Sequence, residues 1–149
     1  MKKYNLYILA VVTFVILIFV GNTQVVEAKG TQIDIQVGKK HVKGTLNNSS
    51  AAKSLQKKLP LSLAVKDFPG EPEKNADLNF KLSTDGMPKG SAAKKGSIGY
   101  WSPDRRLVFY YGKVSYYQGI HIIGHFNSKK DLKTVKNIKK NQKVVITAE

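Results

Sequence analysis

The 149-residue chain contains no cysteine. No disulfide can brace it, no thiolate can ligate a metal or attack a substrate, and no lipid can be carried on a cysteine at a leader's end. Arginine is nearly absent as well: among 25 basic residues only Arg105 and Arg106 are arginines. Base recognition leans on arginine forks, whereas the lysines here are scattered as pairs (Lys39-Lys40, Lys57-Lys58, Lys94-Lys95, Lys129-Lys130, Lys139-Lys140) with no nucleic-acid motif beside them. Specific nucleic-acid binding is therefore not expected. Acidic residues number ten and histidines three, too few to fill several charged sites. No glycine-rich loop stands at a strand-to-helix junction, which removes the usual phosphate cradle. There is no internal repeat, and no apolar run reaches the roughly 20 residues of a spanning helix.

What is present begins with a leader. Lys2 and Lys3 precede an apolar run, Leu6 to Val20, of about 15 residues, and Val26-Glu27-Ala28 ends in small or branched residues of the kind a signal peptidase reads. Residues 1–28 are expected to be a signal peptide cut after Ala28, with an uncleaved anchor as the alternative, and residues 29–149 a single domain. Dropping Lys2, Lys3 and Glu27 takes the net charge from +15 to +14. A secreted or extracytoplasmic domain of that charge has anionic wall polymers and anionic lipids as its nearest electrostatic partners, so envelope association is expected. With no disulfide, its core alone must hold it together.

The domain reads as short strands. Ile33, Ile35 and Val37 alternate with polar residues, Gly38-Lys39-Lys40 turns the chain, and His41 to Leu46 returns, so the domain opens with a hairpin. Asn47-Asn48-Ser49 supplies caps for a helix over Ser50 to Leu59, stopped by Pro60. Leu61, Leu63 and Val65 alternate in a third strand. Asp67 to Gly96, rich in proline and glycine, reads as a long irregular loop with a helical turn around Asn75 to Leu78. Ser128 with Asp131 makes a capping-box pattern for a last helix, Asp131 to Ile138. Lys143 to Ala148 closes the chain as a strand.

The most informative stretch runs from Ile98 to Phe126. Ser102-Pro103-Asp104-Arg105 is a turn by composition. Leu107 to Tyr111 is apolar at both parities, which calls for cover on both faces. From Tyr116 onward, Tyr116, Ile120, Ile122 and Phe126 share one face and Tyr117, His121, Ile123 and His125 the other, with bends expected at Gly119 and Gly124. About eight short strands and two short helices give a mainly β domain, a closed barrel capped by helices.

In order and spacing these pieces resemble the bacterial cyclophilin-like domain family. The matching segments are IDIQVGKKHVKGTL, SSAAKSLQKKLPLSLAV, DLNFKLSTDGMPKGS, GYWSPDRRLVFYYG, SYYQGIHIIGHF and KVVITAE. The resemblance implies a closed eight-stranded cyclophilin-like β-barrel with two short helices. True cyclophilins are prolyl isomerases whose catalytic arginine follows a Phe-His pair, with a Phe-Met-x-Gln-Gly-Gly segment later. Neither occurs here, and Arg105 and Arg106 lie in an expected hairpin turn, a poor place from which to reach a prolyl carbonyl. The resemblance thus brings the fold and leaves the activity behind.

No other chemistry replaces it. His121 and His125, four apart on a strand, are separated by about 13 Å and cannot share one ion, so no metal and no cofactor are expected. Ser115 lacks an exposing turn and an acid to orient a base, and no catalytic residue is assigned. The clustered tyrosines are different: each joins a broad apolar face to a polar tip. Most serve as core and rim, and Tyr111, Tyr116, Tyr117 and His121 are the candidate groove residues. The expected function is a non-catalytic module binding an unidentified peptide, protein or small molecule at the cell envelope. A divergent prolyl isomerase acting on exported proteins is the alternative.

Overall fold

A computed structural model describes residues 29–149; the expected leader lies outside them. Ten strands and two helices follow one another as β1 (Thr31–Val37), β2 (Lys40–Leu46), α1 (Ser50–Gln56), β3 (Leu61–Asp67), β4 (Glu73–Asp77), β5 (Gly90–Ala93), β6 (Ser97–Trp101), β7 (Arg106–Tyr110), β8 (Val114–Gln118), β9 (Ile120–Phe126), α2 (Asp131–Lys136) and β10 (Gln142–Ala148). Eight of them close a barrel in the order β1-β10-β3-β4-β7-β6-β9-β2, and β5 pairs with β8 in a separate two-stranded ribbon. Every pairing is antiparallel.

Strand alternation fills the barrel. Ile33, Ile35 and Val37 of β1, Val42 and Leu46 of β2, Leu107 and Phe109 of β7 and Val144 and Ile146 of β10 point inward into one core. Each such side chain taken fully from water contributes about 1.5–3 kcal/mol, which is how a domain without cross-links stays folded. The helices add to this cluster. Ser49 caps α1, its side chain accepting from the Ala52 N–H, and Ala51, Ala52 and Leu55 are buried beneath it. In α2, Leu132 and Val135 do the same.

Several expectations change. The segment from Asp67 to Gly96 is irregular only in part. It contains β4 and β5, and Asn75 to Asp77 is extended rather than helical. Leu78 and Leu82 are buried, and the Leu82 N–H donates to the Tyr100 hydroxyl at 3.2 Å inside the barrel. Between β4 and β5, residues 78–89 remain irregular, with a turn at Asp85-Gly86. In α2 the capping box does not form: the Asp131 carboxylate accepts from the Lys43 backbone N–H instead, and Ser128 accepts from the Lys130 N–H.

The stretch from Val114 to Phe126 is two strands, not one. Gly119 takes φ +104, where a side chain is strained, and hands the chain from the ribbon to the barrel. Gly119 N–H donates to the Lys89 carbonyl and its own carbonyl accepts from Ser102 N–H. Further on, Ile98 pairs with Gly124 but Gly99 with Ile122, so Ile123 is an extra residue on β9. That bulge reverses the facing of everything after it. Ile120 and Ile122 look outward while Ile123 and Phe126 join the barrel core.

Candidate functional site

The doubly apolar strand β7 explains where the site lies. Leu107 and Phe109 face the barrel core, while Val108 and Tyr110 face outward. The β5–β8 ribbon lies over that outer face, so Val108 and Tyr110 pack with Ala93, Val114 and Ile120 in a second, smaller core, with Trp101 and Ile122 at its margin. The ribbon does not cover the whole face. Beside it opens a cavity of about 360 Å³ whose walls include Phe68, Trp101, Val108, Tyr110, Val114, Tyr117 and Ile120. That volume suits a small molecule or a few side chains. Gly99 of β6 shapes its floor: a Cβ there would lie 2.8 Å from Cε2 of Tyr110, so only glycine lets the tyrosine ring rest on the sheet.

The polar groups gather along one wall. Glu71, Glu73, Asn75, Asp104 and Arg106 all line the cavity. Glu73 and Asn75 stand two apart on β4, opposite Tyr110 and Val108 of β7. Burial, reinforced by the neighbouring Glu71 carboxylate, pushes the Glu73 carboxyl up to about 7, against a hydrogen bond from Asn75 and the charge of Arg106. Burial also raises the Tyr110 phenol, and Glu73 and Glu71 add to that shift. Asn75 is only 1% exposed, and its side-chain Oδ1 has no hydrogen-bond partner.

Arg106 departs from expectation. Arg105 sits in the turn, with φ +54, but Arg106 opens β7 and its side chain reaches the cavity wall. Its guanidinium is held there by two carboxylates, Nε 3.0 Å from Asp77 Oδ1 and Nη1 3.0 Å from Asp104 Oδ2. Asp104 also accepts from the Trp101 indole N–H at 3.1 Å. A tight turn, Ser102 to Arg105, thus fixes the indole and the guanidinium together.

The four groove candidates occupy different places. Tyr117 lines the cavity from the ribbon, half exposed. Tyr116, its neighbour, is 62% exposed on the opposite side of β8. Tyr111 lies just past β7, where its N–H donates to the Pro72 carbonyl; burial, then Asp67 and Glu73, raise its phenol. His121 is buried, with Nε2 3.1 Å from the Ser102 hydroxyl and its ring 6.3 Å from that of Tyr100. Burial lowers its pKa, and the nearby Pro88 backbone opposes the shift. Neither Tyr111, Tyr116 nor His121 lines the cavity. The wall residues Glu71, Glu73 and Asn75 escape sequence reading because they fall in the segment taken for a loop. No local signal marks them: β4 reads Glu-Lys-Asn-Ala-Asp, with no apolar alternation, and its central residues Lys74, Asn75 and Ala76 are all buried.

The remaining histidines serve elsewhere. His41 Nδ1 lies 2.7 Å from Asp34 Oδ2 across the opening hairpin, and His125 is exposed. Among the described residues, no group of three or more His, Asp or Glu gathers as a metal centre.

Fold and cleft together define a small antiparallel barrel that carries an aromatic-lined cavity on the outside of the sheet, beside a ribbon. A model of the cyclophilin-like family matches residues 35–147, and the chain belongs to that family. The solution structure of a hypothetical protein from Archaeoglobus fulgidus has the same fold, with a TM-score of 0.58 at 14% identity over 80% of this chain and 95% of that one. No curated protein matches the sequence.

Proposed function

We propose that this chain is an exported, non-catalytic binding domain that takes a small ligand, or one side chain of a larger one, in the cleft between the outer face of β4, β6 and β7 and the β5–β8 ribbon. The observation that carries this is the aromatic-lined cavity with one buried acceptor, Asn75 Oδ1, left without a donor. Native proteins satisfy such groups, and a bound partner is one way of doing so. The expected leader, and the net charge of about +14 that remains without it, support delivery to the cell envelope and attraction to its anionic polymers or lipids. Filling the cavity tests the cleft. A fragment that raises the melting temperature of the full chain should no longer do so in Val108→Phe, provided the variant melts cooperatively. Fragments that stabilise both equally would place binding elsewhere. Washing cell envelopes with about 1 M salt, where the screening length falls to roughly 3 Å, should release the protein if charge retains it.

Arg106 on the cleft wall favours a second reading, a divergent prolyl isomerase. A guanidinium beside a bound prolyl amide could donate to it as it twists. Against this, Asp77 and Asp104 already hold that guanidinium, and lowering a barrier near 20 kcal/mol needs a donor aimed at the substrate. Turnover in a protease-coupled proline-peptide assay that disappears in Arg106→Ala would install the isomerase reading.

A further inference from the structure

Resting on the cleft reading above, we infer that the cavity is selective for a primary ammonium group carried on an apolar body. The charge of the wall is the first argument. Three of the chain's ten acidic residues, Glu71, Glu73 and Asp104, line this cavity, against one of its 25 basic residues, Arg106. On a protein of net charge +15, that is a local reversal of sign. Arg106 offsets only part of it: its guanidinium is ion-paired to Asp77 and Asp104, and its pull on Glu73 is outweighed by burial and Glu71. An anionic guest therefore finds no free cation, while two carboxylates repel it.

The second argument is independent of charge. Asn75 Oδ1 is buried and unpartnered, and an acceptor in that position calls for a donor. A primary ammonium carries three N–H donors and no acceptor. The third argument is the apolar part of the wall. Phe68, Trp101, Tyr110 and Tyr117 present rings, which hold an apolar body and attract a cation over their faces. The state of Glu73 agrees. Its carboxyl is held up at about 7 by burial and by Glu71, and a cation beside it is what would restore the ionised form. The groups facing it are Glu71 on the β3–β4 connection, Arg106 and Tyr110 on β7 and Tyr111 just past it. Ammonium affinity should accordingly climb as pH rises through about 7.

Trp101 is the only tryptophan of the chain, so fluorescence excited at its red edge reports this cavity alone. The full chain is titrated with 2-phenylethylamine, its neutral isostere 2-phenylethanol and the anion phenylacetate, near pH 8, with calorimetry on the same samples. The expected order is amine, alcohol, acid, with the amine bound about ten-fold more tightly than the alcohol, as befits a charge-assisted bond. In the double variant Glu71→Gln, Glu73→Gln that preference should vanish while the alcohol still binds. Equal binding of amine and alcohol to the unaltered chain would overturn the ammonium inference and leave the cleft reading standing. No response to any of the three would overturn the cleft reading itself. A further arm, the N-acetyl amide of Phe-Lys, separates sources: tighter binding than the free amine assigns the site to a lysine on a peptide, and weaker binding assigns it to a small free amine.

Discussion

At the scale of single residues, Glu73 makes a sharp prediction. Its carboxyl titrates at about 7 in the folded chain against an ordinary 4.5. Below the lower value both states hold the proton, and the burial of Glu73 costs nothing. As pH rises between the two, the unfolded chain loses its proton first, so stability falls; above about 7 the cost is complete. Glu73→Gln removes the titration, and should raise stability near pH 8 by on the order of 1 kcal/mol, allowing for the solvent the group still meets. That corresponds to about 4 °C in Tm, and the advantage should fade by about pH 4. Melting curves at the two pH values decide it, and a pH-independent difference would refute the assignment. Gly99 gives a steric counterpart. An added Cβ at 2.8 Å from the Tyr110 ring must displace it, so Gly99→Ala should cost about 1–3 kcal/mol, read as a lower denaturant midpoint.

At the scale of elements, the joint between ribbon and barrel is the vulnerable point. Gly119 sits at φ +104, and a Cβ there would approach Pro103 Cδ to 2.8 Å and Trp101 to 3.2 Å. Gly119→Ala should therefore destabilise by about 1–3 kcal/mol, and should also shift the Trp101 emission, because the strain falls on the turn that positions the indole. An unaltered emission spectrum would mean that the ribbon does not shape the cavity. The cap of α1 is a milder case. Ser49 accepts from the Ala52 N–H and donates to Asn47 Oδ1 at 2.6 Å, so Ser49→Ala should cost about 1 kcal/mol with no change at the cleft, measurable by chemical denaturation.

At the scale of the whole molecule, closure is what makes the barrel. β10 lies between β1 and β3, although it is the last strand made. Deleting residues 142–149 would leave two strand edges bare and expose the apolar face behind them. Such a chain should show no cooperative thermal transition and should aggregate. A cooperative melt would mean that the remaining strands close by themselves. The opening hairpin is tied to the far end of the chain in the same way, since Lys43 pairs with both Asp34 and Glu149.

The order of elements and most of the core were legible locally, because alternation in β1, β2, β3 and β10 and the cap at Ser49 are short-range signals of side-chain direction and backbone satisfaction. The two apolar faces of β7 likewise announced cover on both sides. What covers the outer face was not legible: the ribbon forms only when β5 pairs with β8, two segments more than twenty positions apart with no shared pattern. The facing of Phe126 depended on one extra residue in β9, which is defined only against its partner β6. The cleft belongs to this second group. Its wall draws Glu73 and Asn75 from β4, Arg106 from β7 and Trp101 from β6, and a carboxylate's pKa or an unpaired amide oxygen exists only once those strands meet. Local periodicity therefore determined that this chain builds a barrel, while burial and charge, which depend on neighbours distant in sequence, decided where the barrel keeps its cavity.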